Sequence, residues 1–297
     1  MKRFLYLLAK SGLFFGILYT VAVLWLIPFF LAKKYGASNE DQIRFAFEKV
    51  HGEKSFDWMV LGNSHMSYGV DPSVFSRKAF NFSYINESFN QCFYKMRFLK
   101  ELGKLPDTLI LGVDFFEFGI HSDVRNYAYS SYFDPAYLED YPSTNVQLFY
   151  WLNRFNPITL NQYRHGSSSV MMENGMMTRE SRGKVGESKR RKMEWLEVQK
   201  DYFGRIMDFS AQNNISLYLV MQPLLPQEFN QYSEEELAGF YEFIDNSTSD
   251  FSNVRFLNFS EVRLKESNYS DNTHLNAQGA KIFTSMIDSA ILSQPSI

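Results

Sequence analysis

An α/β fold with a mainly parallel five-stranded sheet is predicted by three features of the sequence. Five short apolar runs have the length of buried strands, helical patterns separate them, and Gly or Pro stands beside several of the runs. Strands that alternate with helices join by right-handed crossovers, and the result is a parallel sheet covered on both faces. In such a sheet, ligands bind where the strands end at their carboxyl side.

The elements follow in order. Residues 39–51 (NEDQIRFAFEKVH) read as a short amphipathic helix with Asn39 as its cap. FDWMVLG, residues 56–62, is a buried strand running into a glycine turn, and AFNFSY, residues 79–84, is a second strand. Phe89, Phe93, Met96 and Leu99 give residues 88–103 a helical face that stops at Gly103. Pro106 introduces the third strand, TLILGV at 108–113. Residues 115–191 are rich in aromatics, Ser, Asn and Gly and read as an insertion of loops and short helices. A helix returns over 192–213, followed by the strand ISLYLVM at 215–221 and the stop Gln222-Pro223. A helix over 233–249 starts at Ser233 and is acidic in its first turn, as the helix dipole favours. VRFLNF at 254–259 is the fifth strand, and Ala277 to Leu292 is the last helix.

The N-terminus has a different character. Residues 11–32 carry no charge and, as a helix, cover about 30 Å, the thickness of a bilayer's hydrocarbon core. A cleaved signal peptide is the competing reading. It is disfavoured because its apolar region is normally only about 7–15 residues, and Tyr35 before Ala37 makes a poor cleavage pattern. The expected layout is therefore an anchor at 1–34, a linker helix at 35–55 and one domain at 56–297 that contains the insertion at about 115–191. Lys2, Arg3 and Lys10 precede the run and Lys33 and Lys34 follow it, so charge says little about orientation. A short N-terminal tail suits a single-pass protein of the cell membrane with its large domain outside.

Composition excludes one class of function. The first 34 residues hold five of the 30 Lys and Arg residues and none of the 33 acids, which leaves the remainder at −8. A nucleic-acid binder is normally basic. The single cysteine, Cys92, excludes an internal disulfide.

Two motifs fall in loops that the topology brings to one rim of the sheet: Gly62-Asn63-Ser64-His65 and Asp271-Asn272-Thr273-His274-Leu275. A serine hydroxyl needs a base within hydrogen-bond reach, and the base needs an orienting partner. His274 is the candidate base, Asp271 the carboxylate that fixes its tautomer, and Ser64 the nucleophile. Gly62 permits the sharp turn that exposes Ser64. Met66 stands where the α/β-hydrolase nucleophile elbow needs a glycine, so that motif is excluded.

The pair of blocks, LGNSH at 61–65 and DNTHL at 271–275, resembles the SGNH (GDSL-type) hydrolase superfamily over roughly residues 56–113 and 215–292. The resemblance implies a three-layer, flavodoxin-like sandwich and a serine esterase or acyltransferase without a cofactor or metal. The family's second block has a Gly and its third an Asn, both donors to the oxyanion. Here Asn86 stands at the first of these positions and Asp114 at the second. An ionised Asp only accepts hydrogen bonds. Asn63, Asn86 and the Ser64 N–H are therefore the candidate donors, with Asp114 beside them. Gly69-Val70-Asp71-Pro72, together with one N-terminal span, resembles membrane-anchored proteins of envelope acylation, such as those of alginate O-acetylation and lipoteichoic acid D-alanylation. That likeness implies acyl transfer to or from a surface polysaccharide or other acylated glycan, with a multi-span membrane acyltransferase as donor partner.

Plainer readings stand beside these. Ser64 could be a turn serine, and Asp271 a helix cap. His65 reads as a supporting residue rather than the base. A metal held by His65, Asp271 and His274 is conceivable, but no ligand-spacing motif is present. The aromatic run Tyr127, Tyr129, Tyr132, Phe133, Tyr137 and Tyr141 is expected to pack the insertion rather than stack on sugars. Lys189-Arg190-Arg191-Lys192 reads as a solvated helix start. The alternative function is a catalytically weak scaffold or glycan-binding protein of the same fold.

Overall fold

The computed structural model of the chain describes residues 1–22, 26, 39–121, 129, 132–140, 169–179 and 193–294. Helix α1 spans Lys2–Val21 and has no buried residue. It is long and apolar enough to cross a membrane, with a mean hydropathy of 1.6, and the same properties suit a signal sequence. It begins nine residues before the uncharged run. Of residues 23–32, only Leu26 lies among the described residues.

The described residues after α1 follow the order α2 (Asn39–Gly52), β1 (Trp58–Leu61), α3 (Ser64–Gly69), β2 (Ala79–Asn81), α4 (Phe89–Glu101), β3 (Thr108–Gly112), β4 (Ser169–Met171), β5 (Met177–Arg179), α5 (Glu197–Gln212), β6 (Ser216–Met221), α6 (Pro226–Phe229), α7 (Glu234–Thr248), β7 (Val254–Asn258) and α8 (Ala277–Leu292). Five strands form one sheet in the order β2-β1-β3-β6-β7. Every pairing in it is parallel. From β1 the chain goes out to β2 and then returns to pair β3 on the other side of β1. That reversal opens a crevice past the carboxyl ends of β1 and β3.

Period-two alternation divides the strands between two cores. Met59, Leu61, Leu109, Leu111, Leu217 and Leu219 face one side, where they pack with Phe47, Leu99, Phe203 and Phe240 from the helices. Trp58, Val60, Ile110, Tyr218 and Val220 face the other, against Met66, Phe283, Ile287 and Ile291. Helices therefore cover both faces, and the fold is a three-layer α/β sandwich. Local chemistry sets the helix starts. Ser233 and Glu236 form a capping box at α7, and the Asn276 side chain accepts from the Gln278 and Gly279 N–H groups at α8.

The insertion differs from its sequence reading in one respect. Alongside short 3₁₀ turns it contains the antiparallel hairpin β4–β5. Strands of three residues are too short to show alternation, so periodicity misses them. The hairpin tip docks on the edge of the main sheet, where the Asn81 N–H donates to the Asn174 carbonyl at 2.9 Å. Gly175 allows this: its φ is +85°, and a Cβ there would run into the Asn81 carbonyl oxygen. Gly175→Ala is expected to destabilise the fold by about 2 kcal/mol or more, measured as a lowered urea midpoint.

Among the described members of the aromatic run, the rings are spent on packing. Tyr129 stacks on Phe133 and Tyr132 on Phe47. Tyr127, Tyr141 and the basic run at 189–192 lie outside the described residues.

Candidate active site

Each site residue sits just past a strand end or just before a helix. The turn after β1 is made by Gly62 at φ +138°, so close to β3 that Met66 packs directly over Gly62 and Gly112. Asn63 caps α3 by accepting from the His65 N–H at 2.8 Å. Ser64 is the first residue of that helix. Its N–H has no hydrogen-bond partner among the described residues, as expected at a helix start.

The second motif comes from 210 residues later. Asp271 Oδ1 accepts from the N–H groups of Thr273 and His274, each at 2.9 Å, which closes a tight loop before α8. The loop is buttressed by Gln222, just past β6, which donates to the Thr273 carbonyl at 2.6 Å. His274 Nδ1 lies 2.9 Å from both Asp271 carboxylate oxygens, and His274 Nε2 lies 2.9 Å from Ser64 Oγ. The rings of Tyr68 and His65 stand edge-on to the imidazole at 5.2 and 5.5 Å.

The electrostatics of Asp271 suit an orienting carboxylate. Burial alone would push its pKa up. The hydrogen bond from His274, the imidazole charge and the two backbone N–H groups outweigh burial and hold the carboxyl well below the usual range. An ionised Asp271 keeps the proton on Nδ1 and leaves the Nε2 lone pair facing Ser64.

The other expected residues are placed differently. Asn63 and Asp114 are both buried, 2% exposed, and are bonded to each other, Asn63 Nδ2 donating to Asp114 Oδ2 at 2.8 Å. One of the two Asn63 Nδ2 hydrogens is therefore spent on Asp114, whose carboxylate offers no donor of its own. Asn86 sits exposed in the turn after β2 at φ +55°, a left-handed position that Gly or Asn fills readily. It makes no side-chain hydrogen bond among the described residues. Sequence reasoning missed the partner of His65, whose Nδ1 lies 2.8 Å from Asp114 Oδ1. Their separation of 49 positions in the sequence carries no signal of that contact. His65 Nε2 has no partner among the described residues. It lines a cavity of about 20 Å³ with Phe116, Leu224, Glu228 and Thr273, room for about one water. A far larger hollow, about 620 Å³, lies between α4 and α5 and is lined by none of these residues.

Glu117, in the 3₁₀ turn after β3, is fully buried, and both its carboxyl oxygens lack partners among the described residues. Burial first, then the Asp114 charge, push its pKa well up. The folded chain therefore binds a proton here that the unfolded chain has released above about pH 4.3. Stability falls as pH rises from that value toward the raised folded pKa. Glu117→Gln is expected to remove this fall, so that its urea midpoint gains on wild type between about pH 4 and pH 7. A constant difference across that window would refute the assignment.

Comparisons with known proteins add the following. A protein-family model matches residues 171–296. No curated protein matches. Among solved structures, the chain is similar to a protein from Streptococcus pneumonia described as a platelet activating factor, at 11% identity and TM-score 0.46, over 91% of this chain and 99% of that one. It is also similar to a protein from Desulfitobacterium hafniense described as lipolytic and of the G-D-S-L family, at 11% identity and TM-score 0.39, over 78% of this chain and 98% of that one. A third is a Clostridium thermocellum family 3 carbohydrate esterase, at 10% identity and TM-score 0.38, over 80% of this chain and 99% of that one.

Proposed function

We propose that the chain is a serine-dependent acyl ester hydrolase or O-acyltransferase that acts on a cell-surface polysaccharide. The observation that carries this reading is the continuous hydrogen-bonded path from Asp271 through His274 to Ser64 Oγ. In the first step Ser64 Oγ attacks the ester carbonyl while its proton passes to His274 Nε2. The imidazolium is stabilised by Asp271 and returns the proton to the departing alcohol oxygen. The acyl-serine is then released by the reverse sequence, with water or a sugar hydroxyl as acceptor. The Ser64 N–H, which has no partner among the described residues, is the backbone donor that would meet the oxyanion.

The polysaccharide substrate and the envelope setting rest on the apolar N-terminal helix and on the sequence resemblance to envelope acylation proteins. In that setting α1 holds the domain outside the membrane, beside a multi-span acyltransferase that delivers the acyl group. One observation favours the scaffold alternative: the Asn63 and Asp114 side chains are committed to each other, which leaves one fewer oxyanion donor.

A fluorophosphonate probe separates the two readings. The enzyme reading expects labelling of the full-length chain, with the probe mapped by mass spectrometry to the peptide that holds Ser64. A folded chain that stays unlabelled is a scaffold. The ester content of surface polysaccharide in cells with and without the protein tests the substrate, and unchanged content would remove the envelope proposal.

A further inference from the structure

We propose that Asp114 is a positioning residue: it holds Ser64 against His274 by clamping the two residues that flank the serine. The inference rests on the reading of Ser64 as nucleophile, and it concerns how that serine is placed.

The clamp is built from neighbouring strand ends. β1 and β3 pair in register, Leu61 beside Leu111, so the residues just past them meet. Asp114 projects from the β3 side with one carboxylate oxygen for each flank. Oδ2 takes the Asn63 Nδ2 proton at 2.8 Å, and Oδ1 takes the His65 Nδ1 proton at 2.8 Å. Asn63 Oδ1 meanwhile accepts from the His65 N–H at 2.8 Å. Three hydrogen bonds thus close a ring around the serine position. All three residues are 2% exposed, so water cannot readily replace these contacts, and bonds to an ionised acceptor are the stronger kind. His65 Nε2 has no partner among the described residues. Its ring is therefore held by Asp114 and by edge-on packing against Phe116 and His274. Loosening Asp114 would release both flanks of the serine.

Donor and acceptor chemistry gives a sharp test. A carboxylate accepts at both oxygens, whereas an amide accepts at one end and donates at the other. In Asp114→Asn, the new amide cannot accept from Asn63 and His65 together; if its NH₂ turns to His65, the imidazole proton must move from Nδ1 to Nε2, a buried atom with no hydrogen-bond partner among the described residues. Asn63 cannot escape by flipping, because its amide NH₂ would then face the His65 N–H it now caps. The reciprocal exchange, Asn63→Asp combined with Asp114→Asn, satisfies all three bonds of the ring. The carboxylate now at position 63 caps the His65 N–H with one oxygen and accepts from the amide NH₂ at position 114 with the other. The amide oxygen at position 114 still accepts from His65 Nδ1.

The experiment uses the full-length chain in detergent. Asp114→Asn is expected to slow fluorophosphonate labelling by about 10- to 100-fold, the scale of a misplaced reacting group. The double exchange is expected to return it to within about threefold of wild type. In crystal structures, the Ser64 Oγ to His274 Nε2 separation should lengthen from 2.9 Å in the single variant and return in the double. A single variant with unchanged labelling, an unchanged separation, or a double variant no better than the single would each overturn the inference. If the single variant does not fold, the double variant carries the test alone: recovery supports the clamp, and a large loss overturns it. The crystallographic separation reads the clamp even where wild type fails to label, so failure of the nucleophile reading and failure of the clamp are told apart.

Discussion

Turnover of an activated acyl ester is expected to fall by about 10⁴-fold or more in Ser64→Ala, with melting temperature unchanged. Ser64 Oγ has one strong side-chain contact, the 2.9 Å bond to His274 Nε2. The residue is partly exposed at a helix start, and alanine is well tolerated in the first turn of a helix. Removing the hydroxyl therefore costs little structure and eliminates the atom that would carry the acyl group. Residual activity then reflects only binding and the backbone donor. The measurement is hydrolysis of a chromogenic ester together with fluorophosphonate labelling. Activity within tenfold of wild type would exclude Ser64 as nucleophile.

Asp271→Asn is expected to lower kcat by about 10³- to 10⁴-fold with little change in KM. The reason lies in the loop geometry. Oδ1 is already claimed by the backbone N–H groups of Thr273 and His274. An asparagine keeps its oxygen there, because its NH₂ would clash with those donors. The NH₂ must then take the place of Oδ2, 2.9 Å from His274 Nδ1, and donate to it. That forces the imidazole proton onto Nε2, which can no longer accept from Ser64. The fold is preserved because asparagine closes the same loop. Hydrolysis kinetics at saturating ester give the result directly. A variant that kept more than about a tenth of wild-type kcat would show that Asp271 does not set the tautomer of His274.

The five main strands and the long helices between them are legible in the sequence because each is a local pattern. ISLYLVM has no place to go except a buried strand, and Ala277 to Leu292 repeats its apolar residues with a helical period. The β4–β5 hairpin is not legible, since three-residue strands carry no period and their stability comes from docking on Asn81. At the candidate site the motifs name Ser64, Asp271 and His274, because a hydroxyl, an imidazole and a carboxylate in loops of a parallel sheet have a restricted chemistry. The roles of Asn63 and Asp114 are a different matter. The sequence shows Asn where the resembled family's first block has Asp, and Asp where its third block has Asn. Read from the sequence, Asp114 looks like a lost oxyanion donor and Asn63 like one of its replacements. In the fold the two side chains are bonded to each other, and His65 joins them.

By itself, the sequence determined the alternation of strands and helices, an apolar N-terminal helix, the −8 balance of the remainder and the residue types available for chemistry. Only the tertiary structure decided which of those residues meet. Ser64 reaches His274 across 210 positions, and Asp114 reaches Asn63 and His65 across 51 and 49. The physical reason is that contacts along the rim of a parallel sheet are set by which strands lie side by side. That order depends on how two hydrophobic faces are covered at once, a property of the whole chain that no short stretch of it encodes.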